Sequence, residues 1–198
     1  MRNIFILLIC FTTASSQNII RQTDISFSAN LEGKNQSVFV NYVMEGLALS
    51  TPFIEFGYAG LHQLESDIIH PLTVSIVGVQ LPIAIGKYIF KRERPNRKYK
   101  PRLWNFRWTP SFPSGHAATT AAWATTFALN APHTQPIMIG YVLISGYSQI
   151  YVGNHYVSDI LAGWVLGWAT ARIFHYSSES NQYKRLATPI FRISIPLK

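Results

Sequence analysis

Long apolar stretches recur along the chain, and nearly all of its chemically interesting polar residues fall at their ends. Residues 38–61 carry only Glu45 and Glu55 as charges, and residues 72–90 (LTVSIVGVQLPIAIGKYIF) carry none before Lys87. Residues 117–130, 137–151 and 158–175 follow, the last rich in the Gly and Ala that let helices approach closely in a bilayer. A span needs about 17–25 apolar residues, so the middle stretches are short for the task. The pattern predicts an all-α transmembrane helical bundle. Ahead of it, residues 1–16 read as a signal peptide or first transmembrane segment, with an apolar run from Ile4 to Phe11 and small residues at Ala14, Ser15 and Ser16, where cleavage is expected. Residues 17–37 read as an irregular, exposed lead-in, 38–176 as the helical domain, and 177–198 as a basic tail with Lys184, Arg185, Arg192 and Lys198.

Composition points the same way. Hydrophobic residues make up 48% of the chain and charged residues 13%, against roughly 25% charged in a soluble domain. The only cysteine, Cys10, lies in the first apolar run behind Ile9, which is too large for a lipoprotein-type anchor. Removal of that segment leaves no thiol for a disulfide or for cysteine chemistry. A net charge of +8 would ordinarily raise nucleic acid as a partner. The excess, however, is local: Lys91, Arg92, Arg94, Arg97, Lys98, Lys100, Arg102 and Arg107 face one acid, Glu93, within residues 91–109. Trp104, Phe106 and Trp108 interleave with these cations, a mixture that suits a membrane interface. No nucleic-acid partner is expected; membrane lipids are.

The polar clusters converge if the helices alternate in direction. The end of 72–90, the start of 117–130, the end of 137–151 and the start of 158–175 then share one membrane face. That face collects Lys87, Arg94, the run Pro113-Ser114-Gly115-His116, and His155 with Asp159. A guanidinium fork and an ammonium point charge can hold a phosphate dianion, and the Gly115 amide at a helix N-terminus can add a neutral donor. His155 and Asp159 stand at i, i+4, so the carboxylate can take a proton from one ring nitrogen and leave the other free as a nucleophile. His116 is then available to protonate a leaving oxygen. Too few ligands converge for a metal, and neither a metal nor another cofactor is expected.

The order Lys-x6-Arg-Pro (Lys87, Arg94, Pro95), Pro-Ser-Gly-His (113–116) and Ser-x6-His-x3-Asp (Ser148, His155, Asp159) resembles the type-2 phosphatidic acid phosphatase family, which also includes bacterial acid phosphatases and vanadium haloperoxidases. The resemblance covers roughly residues 40–175. It implies an all-α bundle with its active site at one membrane face, hydrolysing a lipid phosphomonoester or pyrophosphate without metal, through a phosphohistidine. It assigns His155 as nucleophile, Asp159 as its orienting partner and His116 as general acid, with Lys87, Arg94, Ser114 and Gly115 on the phosphate. The choice of which histidine attacks rests on the resemblance alone.

One position departs from the family pattern. Its third motif usually begins Ser-Arg, and here Ser148 is followed by Gln149. A Gln amide there can donate to phosphate but brings no charge, and Arg92, Arg97 and Arg107 are the nearby candidates to supply one. The alternative reading is a relative of weak or absent turnover that binds phospholipid headgroups. Alternation of the helices places the motif face outside, in the periplasm of a bacterial inner membrane, and the basic tail inside. The positive-inside rule alone would put the basic loop inside, but phosphate recognition gives those charges another purpose.

Overall fold

The computed structural model describes residues 14–33, 37–61, 69–104, 106–108 and 110–187. The apolar run with Cys10 and residues 188–198 of the tail lie outside the described residues. Among the described residues every regular element is helical: α1 (Ala14–Leu31), α2 (Val38–Leu61), α3 (Ile69–Phe90), α4 (Gly115–Asn130), a 3-10 turn at Pro132–Thr134, α5 (Gln135–Tyr151) and α6 (Val157–Ala187). α2 to α5 follow the apolar stretches. α6 runs eleven residues beyond the expected tail boundary at 176.

The lead-in differs from expectation. Residues 17–31 are helical and part of α1, not irregular, and the expected cleavage position at Ser16 lies in its first turn. Nor is the segment wholly exposed, because Ser28 and Glu32 are buried. Asp24, Ser28 and Glu32 are spaced by four and therefore share one face of the helix. That polar stripe docks against polar groups at the motif face, so a search for an apolar stripe does not detect the helix.

α4 is central and contacts α2, α3, α5 and α6. Its inner face is built of small side chains, including Ala117, Ala118, Thr119, Thr120, Ala121 and Ala122, all buried. The match on α6 is Gly167, where an added Cβ would stand 2.2 Å from the Ala118 carbonyl oxygen. Any side chain at this position must push the two helices apart. Val79 and Ile83 of α3 pack on Ala118 and Ala122, and Trp123 meets the rings of Tyr58 and Tyr141 edge-on at 5.9 and 5.6 Å.

Polarity is arranged inside out. Glu45 and Glu55, the two charges of α2, are both fully buried. Glu45 accepts hydrogen bonds from the Tyr99 hydroxyl and from the Arg102 and Leu103 amides at 2.8 and 3.0 Å, tying the basic loop to α2. Glu55 accepts from the Tyr141 hydroxyl at 3.1 Å, and the Thr126 hydroxyl donates to Ser75 at 2.6 Å. Outward, Phe39, Phe53, Leu81, Val165 and Ile173 are mostly exposed. In lipid, such an exterior needs no covering, and helix association rests on close approach and interhelical hydrogen bonds of about 0.6 kcal/mol each.

Inward-facing polar residues also explain why the apolar stretches read as marginal. Pro71–Phe90, with mean hydropathy 1.5, is long and apolar enough to cross a membrane by length and composition. α4 spends Thr119, Thr120 and Thr126 on the interior, and α5 spends Ser145, Ser148 and Gln149. With 16 and 17 residues these helices rise only about 24–26 Å, short of a hydrocarbon core of about 30 Å.

Candidate active site

The site is assembled from four helix termini and the two loops between them. α3 ends at Phe90, where Lys91 adopts a left-handed conformation (φ 45°) and turns the chain into the basic loop. One turn earlier Lys87 reaches that loop, its Nζ donating to the Pro110 carbonyl at 2.6 Å. Ser114 caps α4, its hydroxyl accepting from the Ala117 amide, as a first turn with unsatisfied N–H groups requires. The Ser114 amide in turn donates to the Asp159 carbonyl at 3.0 Å, which locks the start of α4 to the start of α6. The Gly115 and His116 amides head α4 and have no acceptor within the helix. Beside Gly115 the space is open, since an added Cβ would meet only Ile83, at 3.8 Å.

α6 begins with a reciprocal cap that orients Asp159. The Asp159 amide donates to the Tyr156 carbonyl at 3.1 Å, and Asp159 Oδ2 accepts from the Tyr156 amide at 3.0 Å. The same Oδ2 lies 3.3 Å from His155 Nδ1. The turn leading to His155 needs Gly153, whose φ of +65° is left-handed.

The tautomer of His155 follows from its two partners. Arg94 Nη1 lies 3.1 Å from His155 Nε2, and a guanidinium can only donate. Nε2 is therefore the acceptor, and the ring proton sits on Nδ1, where it faces Asp159. Burial, the largest influence, pushes His155 down to about 3, while the Asp159 hydrogen bond works the other way. The imidazole is thus neutral at physiological pH, with its Nε2 lone pair toward the cations.

Arg94 also donates through Nη1 to the Asn154 carbonyl at 2.7 Å and through Nε to the Trp108 carbonyl. Burial and then the neighbouring Arg107 lower its pKa to about 10, with Asp159 opposing, so it stays cationic. Lys87 lies within electrostatic reach of Arg94 and Asp159, and His116 within reach of Lys87, Arg94 and His155. Lys87, Arg94, His116, His155 and Asp159 are thereby brought together, with Ser114 and Gly115 at the edge.

Gln149 does not join them, contrary to the expectation that it meets phosphate. It is fully buried; its Nε2 donates to the Ala48 carbonyl of α2 at 2.8 Å and its Oε1 accepts from Asn154 Nδ2 at 3.0 Å. Satisfying both halves of a buried amide turns it toward α2. Of the three candidate substitutes, Arg92 is committed to acids, donating to Asp24 at 2.6 Å and to Asp159 at 2.8 Å. Arg97 stands against Gly153, its pKa lowered by burial and by Arg107, with Glu32 opposing. Arg107 Nη1 donates to the Pro95 and Gly153 carbonyls, both at 2.9 Å. Arg94 and Arg107 thus hold the consecutive carbonyls of residues 154 and 153, immediately before His155. Sequence reading missed Asp24, which meets this site from about 130 residues away; its only trace is the four-residue spacing with Ser28 and Glu32.

Comparison with known proteins places the chain. An undecaprenyl-diphosphatase of Sulfolobus acidocaldarius is 36% identical over 104 residues, 48% of this chain and 48% of that protein. A lipid A 1-phosphatase of Rhizobium etli is 40% identical over 57 residues, 29% of this chain and 25% of that protein. The chain therefore matches about half the length of the first of these relatives and a quarter of the second. Its fold superposes on the transmembrane PAP2-type phosphatidylglycerolphosphate phosphatase of Bacillus subtilis with a TM-score of 0.65 at 20% identity, over 96% of this chain and 94% of that one, which bears out the all-α transmembrane bundle. The profile of the PAP2 superfamily matches residues 69–183, more than half of the chain and all three motifs, and the chain belongs to that superfamily.

Proposed function

We propose that the protein is a metal-independent lipid phosphatase that releases phosphate from a phosphomonoester or pyrophosphate headgroup through a phosphohistidine on His155. The observation that carries this is the pair of contacts on one buried ring: a donor-only guanidinium on Nε2 and a carboxylate on Nδ1. A neutral imidazole held this way presents its lone pair where Lys87, Arg94 and Arg107 gather positive charge. A phosphate drawn into that charge takes the guanidinium of Arg94 from Nε2 and puts phosphorus in its place.

The chemistry balances on residues of the chain. With the phosphate's negative charge in the site His116 enters as the imidazolium; Nε2 of His155 attacks phosphorus while the bond to the leaving oxygen breaks, and His116 gives that oxygen its extra proton. His116 then takes a proton from water as the water attacks phosphorus, the P–N bond breaks, and inorganic phosphate leaves with both histidines restored. Asp159 offsets the positive charge that builds on His155 in the first step. Lys87, Arg94, Arg107 and the Gly115 amide stabilise the equatorial oxygens. The names of the two relatives, both enzymes acting on phosphates of lipids, and a site that meets headgroups at a bilayer face support a lipid substrate.

The test is phosphate release by the purified protein in detergent micelles from phosphatidic acid, phosphatidylglycerol phosphate, undecaprenyl pyrophosphate and lipid A. Release from at least one, undiminished by EDTA, is the expected result. Binding of these lipids with no release from any would favour the headgroup-binding alternative. Activity lost to EDTA and restored by one divalent ion would contradict the proposed chemistry.

The proposed setting is a bacterial inner membrane with the site facing the periplasm. A reporter fused after Lys198 is then expected to be cytoplasmic and one inserted near residue 100 extracytoplasmic. The reverse pattern would move the substrate to the other leaflet.

A further inference from the structure

Arg92 forks between two carboxylates that are 135 residues apart in sequence. Its Nη1 donates to Asp159 Oδ1 at 2.8 Å and to the Ser158 hydroxyl at 2.6 Å, and its Nη2 donates to Asp24 Oδ2 at 2.6 Å. The guanidinium lies over the Tyr156 ring, 4.0 Å from its centre. Asp24 does more than balance this charge. Its Oδ1 accepts from the Ser158 amide at 3.1 Å, and its Oδ2 accepts from the Ser158 hydroxyl. Four residues on, the Ser28 hydroxyl accepts from the Val157 amide at 2.9 Å. One face of α1 therefore supplies, from a separate helix, the acceptors that the first turn of α6 lacks.

Asp159 consequently has both oxygens engaged. Oδ2 serves the Tyr156 amide and His155 Nδ1, and Oδ1 serves Arg92. A planar, two-pronged cation held at its far end by Asp24 fixes the carboxylate plane, and that plane fixes the imidazole. The superfamily match begins at residue 69, so Asp24 enters the site from outside the matched region.

We propose that Asp24, acting through Arg92, is a positioning residue for Asp159 and thereby for the nucleophile, an inference that rests on the reading of His155 as the attacking group. Asp24 and Arg92 touch no reacting atom; they hold in place the carboxylate that faces the His155 Nδ1 proton.

Four variants test it by phosphate release in micelles: Asp24→Asn, Arg92→Lys, Asp159→Asn and Asp24→Asn with Asp159→Asn. Asp24→Asn and Arg92→Lys are each expected to lower kcat about tenfold with KM unchanged within about twofold. Arg92→Lys keeps the charge but cannot fork, so it tests the geometry should Asp24→Asn fold poorly. In the Asp159→Asn background, adding Asp24→Asn is expected to change kcat by less than about twofold, because the group it acts through is gone. Equal losses in both backgrounds, or losses confined to KM, would overturn the relay and leave Asp24 a purely structural residue. A second readout needs no turnover: the downfield NMR signal expected in the wild type for the His155 Nδ1 proton facing Asp159 should shift or broaden in Asp24→Asn and Arg92→Lys. An unchanged signal would overturn the proposal even if the wild type released no phosphate, an outcome that would itself count against the phosphatase reading.

Discussion

His155→Ala is expected to reduce phosphate release by at least about 10⁴-fold, equivalent to about 5.5 kcal/mol of transition-state stabilisation. The reason is geometric. His155 Nε2 faces a donor-only guanidinium while its ring proton sits on Nδ1, and none of the neighbours is a substitute: Arg94 and Lys87 are cations, Asp159 is turned to Arg92 and Tyr156, the Ser114 hydroxyl caps α4, and His116 is committed to protonating the leaving oxygen. Preorganised charge alone still helps water attack, which leaves a residual rate above the uncatalysed one. The fold should survive. Without the imidazole, Asp159 retains Arg92 and the Tyr156 amide, and Arg94 retains the Asn154 and Trp108 carbonyls. Release above about 1% of wild type, with a melting temperature within a few degrees, would remove His155 from the nucleophile role.

The second large effect separates Arg107 from Gln149. If Arg107 supplies the guanidinium that the family draws from the third motif, Arg107→Ala removes a charge-assisted contact worth about 2–4 kcal/mol, or roughly 30- to 1000-fold in kcat. Gln149→Arg is not expected to add what Arg107 already provides. The Gln149 side chain is wedged between the Ala48 carbonyl and Asn154, and Arg107 already repels both Arg94 and Arg97. A fourth guanidinium would break the Asn154 link, loosen the carbonyl that holds Arg94, and bury an unpaired charge at a cost of about 3–5 kcal/mol. A fall in kcat of tenfold or more is the expected outcome, checked by steady-state phosphate release in the same micelles. A rise in kcat for Gln149→Arg, with Arg107→Ala near wild type, would mean instead that the site lacks a charge.

What could be read from the sequence was contact within a turn or two and the alternation of apolar stretches. His155 and Asp159 declare their contact by spacing, Ser114 declares a cap by preceding an Ala-rich run, and the alternation of apolar stretches brings Lys87, His116 and His155 to one face. Contacts set by the docking of separate helices were not legible. Gln149 invites comparison with a family arginine, yet its direction is decided by a carbonyl on α2. Arg92 looks like another loop cation, yet its two carboxylates come from α1 and α6. The polar stripe of α1 reads as solvent-facing because nothing local indicates that its partners are amides at the start of another helix. The middle stretches read as marginal for a related reason, since buried Thr, Ser and Glu residues dilute helices whose outer faces are apolar.

The central claim is that phosphate passes through His155, and rapid-quench labelling tests it most directly. Whichever panel lipid supports turnover is prepared with ³²P in its scissile phosphate, mixed with purified protein and quenched in alkali within milliseconds. The account predicts transient label that is stable to alkali, labile to acid, located in a peptide containing His155, and missing from His155→Ala. Phosphate release at full rate with no labelled protein at any time, or label on His116 instead, would contradict it.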